Sequence, residues 1–326
     1  MDNKRPLIAH LCLLCAGACW GLMAPVGKDA MLHGIDGIDL VGFRVLGGAV
    51  LFWLTSLFTR KEHVPVKDIF ALAGAAIFAL VFNQCSYTIG LNMTSPSNSS
   101  IMTTSMPIFA MVLSFFILKE PITWKKALGV LMGCAGAVII ITTSATAGNA
   151  KVGNIWGDLL CMSAQLSFAL YLALFKPLVQ KYSLFTVNKW MFTWASVLIW
   201  PFIFGHVAEV DFARVPVKTW LETGYVVVFG TYVGYICMMV GQKTLRPTVV
   251  SVYNYVQPIV SVTVSVLTGL AVFKGAQALA AVLVFAGVWM VIKSKSKRDT
   301  QTTYYEEEKP APCHPHFAGK FRKVHL

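Results

Sequence analysis

At 326 residues, 56% of them hydrophobic and only 13% charged, the chain has about half the charged share of an ordinary soluble protein. That much apolar surface excludes a water-soluble fold, and helix-length apolar runs without ten-residue alternation exclude a membrane β-barrel. The net charge of +12 does not point to nucleic acid, because most basic residues sit in short loops between apolar runs, where they set membrane orientation.

Ten apolar segments follow in chain order, at 8–28, 37–58, 69–91, 97–118, 124–143, 155–175, 185–207, 221–242, 248–270 and 274–292. Each is long enough to cross a hydrocarbon core of about 30 Å as a helix. The first follows Lys4 and Arg5. It is too long for a signal peptide and has no clear cleavage site before Trp20. Cys12, Cys15 and Cys19 share one face of it. Small residues lining a helix contact explain them better than a metal or redox site.

The fourth segment, SPSNSSIMTTSMPIFAMVLSFFILKE from Ser95 to Glu120, reads as one helix with Pro107 in its middle. Its first half is small and hydroxylated, its second large and apolar. Such a helix is costly in lipid unless its polar half faces protein or a water-filled cavity. The pattern returns 151 residues later, from Arg246 to Ala271. Pro96 falls on Pro247, Ser100 on Ser251, Pro107 on Pro258 and Ser114 on Ser265. The alignment runs without a gap from Gly90 on Gly241 to Gly136 on Gly287. Two copies of one polar, proline-broken helix indicate a duplicated protein with a cavity between the copies.

The halves divide at a small, polar linker, SATAGNAKVG, at 144–153. The first five-helix unit is then 1–143 and the second 154–298, followed by a polar tail, 299–326, that reads as disordered and cytoplasmic. Five spans per half is an odd number, so the second copy enters the membrane from the opposite side. The expected fold is an all-α membrane protein of ten transmembrane helices arranged as two inverted five-helix repeats. Seventeen Lys and Arg fall in segments on one face, against five (Lys28, Lys151, Arg214, Lys218 and Lys274) on the other. The positive-inside rule puts both termini in the cytoplasm, with the chain in the cytoplasmic (inner) membrane.

Several segments together carry a resemblance. They are Cys19-Trp20-Gly21 in the first span, Phe43-Arg44 in the second and Gly90-Leu91 before the fourth. The most specific is Pro107 to Gly136, which contains LKEPITWKKALGVLMGCAG. On these residues the chain resembles EamA-type, ten-helix members of the drug/metabolite transporter superfamily, from residue 8 to residue 292. The second half departs from the pattern, with Ala271 in the place of Glu120 and Gly275 in the place of Trp124. The resemblance implies movement of metabolites or drugs, commonly export, through a basket of helices. It does not fix the substrate.

No enzyme constellation is present: there is no HExxH, no phosphate-binding glycine loop and no GxSxG. Polar groups do stand in the spans. They are Asn83 and Gln84 in the third, Gln165 in the sixth, and Asn254 and Gln257 in the ninth, with Trp20, Tyr235 and Tyr253 at similar depth. With Thr103, the repeat partner of Asn254, these are the candidate substrate-binding residues. For each amide the alternative is a hydrogen bond between helices. Arg44 lies about 12 Å into its span at 1.5 Å per residue. It is placed with gating and structural residues. It could take an anionic group, or pair with Asp36, Asp39 or helix C-terminal carbonyls. Pro107 and Pro258, also gating candidates, disturb the carbonyls of Thr103 and Asn254 four residues back.

Lys28 and Lys176, at matching ends of the first and sixth spans, read as gate or interface anchors. The expected function is secondary transport of a small metabolite, amino acid or drug-like molecule by alternating access, in the direction of export. The alternatives are an organic-anion uptake or exchange carrier, which needs Arg44, Lys28 or Lys176 in the cavity, and a non-transporting membrane scaffold. The partners are a small-molecule substrate and the lipid bilayer. Neither a cofactor nor a metal is called for.

Overall fold

The computed structural model describes residues 4–93, 102–144, 155–267 and 275–294, and every regular element among them is helical. In order these are α1 (Lys4–Leu32), α2 (Gly37–Leu57), α3 (Val66–Ala76), α4 (Asn83–Met93), α5 (Met106–Leu118), α6 (Trp124–Ser144) and α7 (Ile155–Leu174). There follow a short α8 (Lys176–Lys181), α9 (Leu184–Glu209), α10 (Val217–Val227), α11 (Gly234–Thr244), α12 (Pro247–Val252), α13 (Val256–Leu267) and α14 (Gly275–Ile292). The linker from residue 145, the tail, residues 97–101 of the fourth expected span and Ala271 lie outside the described residues.

Among the described residues, six helical segments are long and apolar enough to cross a membrane: Pro6–Met23, Gly37–Leu57, Val66–Gly90, Ile155–Leu174, Leu184–Glu209 and Val217–Thr244. Large apolar side chains, among them Phe58, Phe70, Phe116, Phe202, Leu221 and Trp289, point outward. A soluble protein would bury such residues, whereas lipid solvates them. The protein is a multi-pass membrane protein.

Sequence explains where the helices start. Asp36 caps α2, its carboxylate accepting from the Gly37 N–H at 2.7 Å, while Asp39 accepts from the Asp36 N–H at 3.2 Å. Ser183 caps α9 by accepting from the Thr186 N–H at 3.2 Å. Pro65 and Pro216 precede α3 and α10, where a missing N–H costs nothing.

Two features differ from expectation. The first is that Pro107 is not inside a continuous helix. The chain turns at Thr104–Ser105 and α5 starts at Met106, so the proline sits in the first turn of a new helix. The ninth span breaks at the same depth in its own sequence, where α12 passes through a 3₁₀ turn, Tyr253–Tyr255, into α13 with Pro258 in its first turn. Proline tolerates a first turn and not an interior.

The second is a pair of π-helical turns. α3 continues into α4 through Ile77–Phe82, and α10 into α11 through Val228–Val233. Adding 151 to 66, 77, 83 and 93 gives 217, 228, 234 and 244, the bounds of the second set.

α6 and α14, the fifth and tenth expected spans, pack backbone to backbone. A β-carbon on Gly287 would lie 2.5 Å from the Gly129 carbonyl oxygen, and one on Gly129 would lie 2.7 Å from that of Gly287. Without a hydrophobic drive between helices in lipid, close approach through small residues supplies the attraction.

The charged residues gather at two ends. At one, Lys181 meets Asp68 at 2.5 Å, Tyr182 also donates to Asp68, and Lys243 donates to the Tyr182 carbonyl. The Asp68 carboxylate holds the Lys181 ammonium above its ordinary pKa. There too Glu62 accepts from the Ser183 N–H at 2.9 Å, and Arg246 donates to the Ser294 carbonyl at 2.9 Å. All these residues belong to segments that the charge count assigns to one face. At the other end, Asp29 meets Lys218 at 2.6 Å and Phe212 stacks on Trp220.

Candidate functional site

The two π-turns bracket the middle of the molecule. A π-turn holds one residue more than an α-turn, so it widens the helix and shifts the register of everything after it. Its carbonyls become available to side chains. Trp20 in α1 donates from Nε1 to the Gly230 carbonyl at 2.8 Å. The Tyr235 hydroxyl approaches the Ala79 carbonyl at 3.5 Å. Ala79 and Gly230 are 151 residues apart, so related carbonyls are addressed by aromatic donors on both sides.

Arg44 in α2 reaches between the two turns. Its Nη1 donates to Gln84 Oε1 at 2.7 Å, and its Nε to Thr231 Oγ1 at 3.1 Å. The Thr231 hydroxyl in turn donates to the Val226 carbonyl at 3.0 Å, and Gln84 Nε2 points to the Tyr235 hydroxyl at 3.4 Å. Both partners of the guanidinium are thus held in place, and both are neutral. Asp36 and Asp39, the expected acidic partners, serve the N-terminus of α2 instead. Val41, Val45, Leu80 and Phe192 complete a cavity of about 10 Å³ against Arg44, room for one water.

A second cavity of about 10 Å³ lies on the other side of Trp20. It is lined by Trp20, Leu13, Ala16 and Gly17 of α1, by Met106, Phe168 and Met238, and by Val250, Tyr253 and Asn254. Trp20 meets Tyr235 edge-on, with ring centroids 6.0 Å apart, and together they stand between the two cavities. Tyr253 shares a 2.7 Å hydrogen bond with His10 Nδ1. The Asn254 amide donates to the Met106 sulfur, and Gln257 Nε2 donates to Asn254 Oδ1 at 3.1 Å.

The family's sequence profile matches this chain twice, over residues 7–142 and 155–293. The chain belongs to the EamA-like transporter family. It is 23% identical over 299 residues to the uncharacterized transporter YetK of Bacillus subtilis (strain 168), covering 91% of this chain and 90% of that protein. An uncharacterized transporter of Archaeoglobus fulgidus is 24% identical over 242 residues, 74% of this chain and 83% of its own length. A solved crystal structure matches with TM-score 0.70 at 17% identity, over 89% of this chain and 98% of that one. At that identity the likeness speaks for the fold alone.

In this EamA-like transporter, the sequence candidates fall into three groups. Trp20, Tyr253 and Asn254 line one cavity, with Gln257 bonded to Asn254, and Arg44, Gln84 and Tyr235 line the other. Asn83 faces away from both: its amide donates to the Ala164 carbonyl at 2.8 Å, a bond between helices. Gln165 is buried on α7 and Thr103 half-buried before α5, and neither lines either of these two cavities. Lys176 donates to the Leu245 carbonyl at 3.3 Å, and the Lys28 side chain lies outside the described residues. Sequence reasoning missed Thr231, Phe192 and Met106. Carrying the 151-residue spacing back past Gly90 would have singled out Thr231, a hydroxyl where the first copy has Leu80.

Proposed function

We propose that this chain is a secondary transporter that moves a small metabolite, amino acid or drug-like molecule across the cytoplasmic membrane by alternating access, in the direction of export. Its two five-helix halves are inverted repeats, and both termini face the cytoplasm. The observation that carries the reading is the cluster of Arg44, Gln84, Thr231, Tyr235 and Trp20 between the two π-turns. Polar and charged groups at this depth in apolar helices are expensive and mark a solute path. A membrane scaffold has no use for them.

The cavities support a mechanism with a closed intermediate. Ligand pockets hold about 300–1,000 Å³, far above the 10 Å³ at each site here. A solute therefore enters only when one end opens. The Asp68–Lys181 group and the Asp29–Lys218 pair close opposite ends. The π-turns and the breaks at Thr104–Ser105 and Tyr253–Tyr255 give each half a place to flex. A second reading, an organic-anion carrier, is favoured by one observation: Arg44 lines a cavity without an acidic partner.

Counterflow in liposomes tests the proposal. Purified full-length protein is loaded with an unlabelled mixture of amino acids, hydroxy acids and organic cations, and labelled solutes are offered one at a time. Accumulation of at least one above protein-free liposomes is expected. Accumulation of none, by protein shown to be helical and monodisperse, would favour the scaffold.

A further inference from the structure

Arg44 is a cation deep in a membrane-spanning helix, and none of the ion pairs among the described residues includes it. A guanidinium carries five N–H donors in a fixed planar fork. Two of them are used, by Gln84 and Thr231. Nη2 makes no hydrogen bond among the described residues, and Arg44 lines the cavity beside Gln84, Thr231 and Tyr235.

A structural arginine in a membrane helix pairs with acids or with backbone carbonyls, and Arg44 donates to neither among the described residues. Asp39 is five residues away on the same helix and is turned instead to the helix N-terminus. The charge is left uncompensated by the described residues, and its two neutral acceptors come from opposite halves of the chain. This arrangement fixes the fork while leaving one edge unfilled, as in a preorganised anion site. Among the described residues no second cation lines the cavity, so a single negative charge balances it. A planar carboxylate matches the fork in shape.

We infer that Arg44 is the docking cation for one carboxylate of the transported solute, with the solute's apolar end lying past Trp20 and Tyr235 in the neighbouring cavity. The transported class is then a monocarboxylate, zwitterionic amino acids included. This rests on the proposal that the protein is a transporter, and it commits the cavity at Arg44 to the charged end of the solute. Displacing Trp20 from Tyr235 joins the two small cavities into one chamber.

The experiment uses L-leucine, L-phenylalanine, lactate and benzoate as labelled probes in the counterflow assay, each in competition with its own primary amide. At least one acid accumulates, and its amide competes at least tenfold more weakly than the unlabelled acid. Arg44→Gln removes that preference, and Arg44→Lys keeps part of it. Because Arg44→Gln can fail to fold, Gln84→Glu gives an independent arm. It places a carboxylate of the protein on Arg44, so transport of the acids is lost while the melting temperature holds or rises. Amides that compete as well as acids, or Gln84→Glu protein that moves acids like wild type, would overturn the inference. If the wider panel shows movement only of solutes without a carboxylate, the inference fails while the transport reading stands. If nothing in the wider panel moves, the transport reading itself has failed.

Discussion

The two π-turns have the same backbone and different chemistry. Ile77–Phe82 is followed by Asn83 and Gln84, one amide tied to the Ala164 carbonyl and the other to Arg44. Val228–Val233 contains Thr231 and is followed by Gly234 and Tyr235. At equivalent places the first half offers Leu80 and Gln84, the second Thr231 and Tyr235. Arg44 takes one acceptor from each side. The two acceptors stand at non-equivalent positions, since Gln84 matches Tyr235 and Thr231 matches Leu80. The unlike pair leaves one side of the guanidinium open and puts an aromatic wall, Trp20 with Tyr235, on the second half's side of it. The shared feature is where the helices widen, and the unshared feature is what they present there.

The most severe way to break the comparison is to remove one π-turn and keep the other. Deleting Ala79 takes out the extra residue, and at 3.6 residues per turn the helix beyond it rotates by about 100°. Gln84 then leaves Arg44. Loss of all counterflow is expected with helical content unchanged by circular dichroism. Deleting Gly230 does the same to Thr231 and Tyr235.

Side-chain changes separate the two partners of Arg44. Gln84→Leu strips the shorter hydrogen bond, at 2.7 Å. It should lower stability by about 1.5–3 kcal/mol, the range for hydrogen bonds to charged groups. Thr231→Val removes the longer, 3.1 Å bond to the same guanidinium and keeps the shape, so the low end of that range, about 1.5 kcal/mol, is expected. Thermal unfolding in detergent ranks the two, and equal losses would mean that the halves contribute alike.

The neighbouring cavity gives a smaller effect. Asn254→Ala or Gln257→Ala breaks an amide pair that lies beside the second chamber. At matched expression, a clear loss of transport or a changed order among solutes is expected, with folding intact. Unchanged transport would assign both amides to helix packing. The smallest effect comes from the aromatic wall. Trp20→Phe keeps the ring and loses the 2.8 Å bond to Gly230, about 1 kcal/mol. Tyr235→Phe loses only contacts of 3.4 and 3.5 Å and should cost less.

Hydropathy placed the helices well because lipid demands long apolar runs, and α2, α6, α7, α9 and α14 lie within two residues of their expected bounds. The spacing of 151 was equally legible, and the bounds of α3, α4, α10 and α11 reproduce it. The π-turns left no mark in residue type, since a π-turn is a change of backbone register that VFGTYV and IFALVF do not announce. That register decided the site. Asn83 and Gln84 are neighbours about 100° apart on a helix, and composition alone could not say which one faces Arg44. Pro107 was read as a mid-helix kink because the sequence on both sides is helix-forming. The chain instead stops and restarts, which spares the proline a clash.

The central claim is that the cavity beside Arg44 is reached from water on one face of the membrane at a time. Val45 is 2% exposed and lines that cavity without bonding to Arg44. In a chain with its native cysteines replaced, the Val45→Cys variant in sealed vesicles of known orientation is treated with a small, membrane-impermeant methanethiosulfonate from either side. The account predicts labelling from at least one side, with the rate from that side changed by any solute the protein accumulates. A folded variant whose introduced thiol stays unmodified from both sides, with and without such a solute, would contradict it.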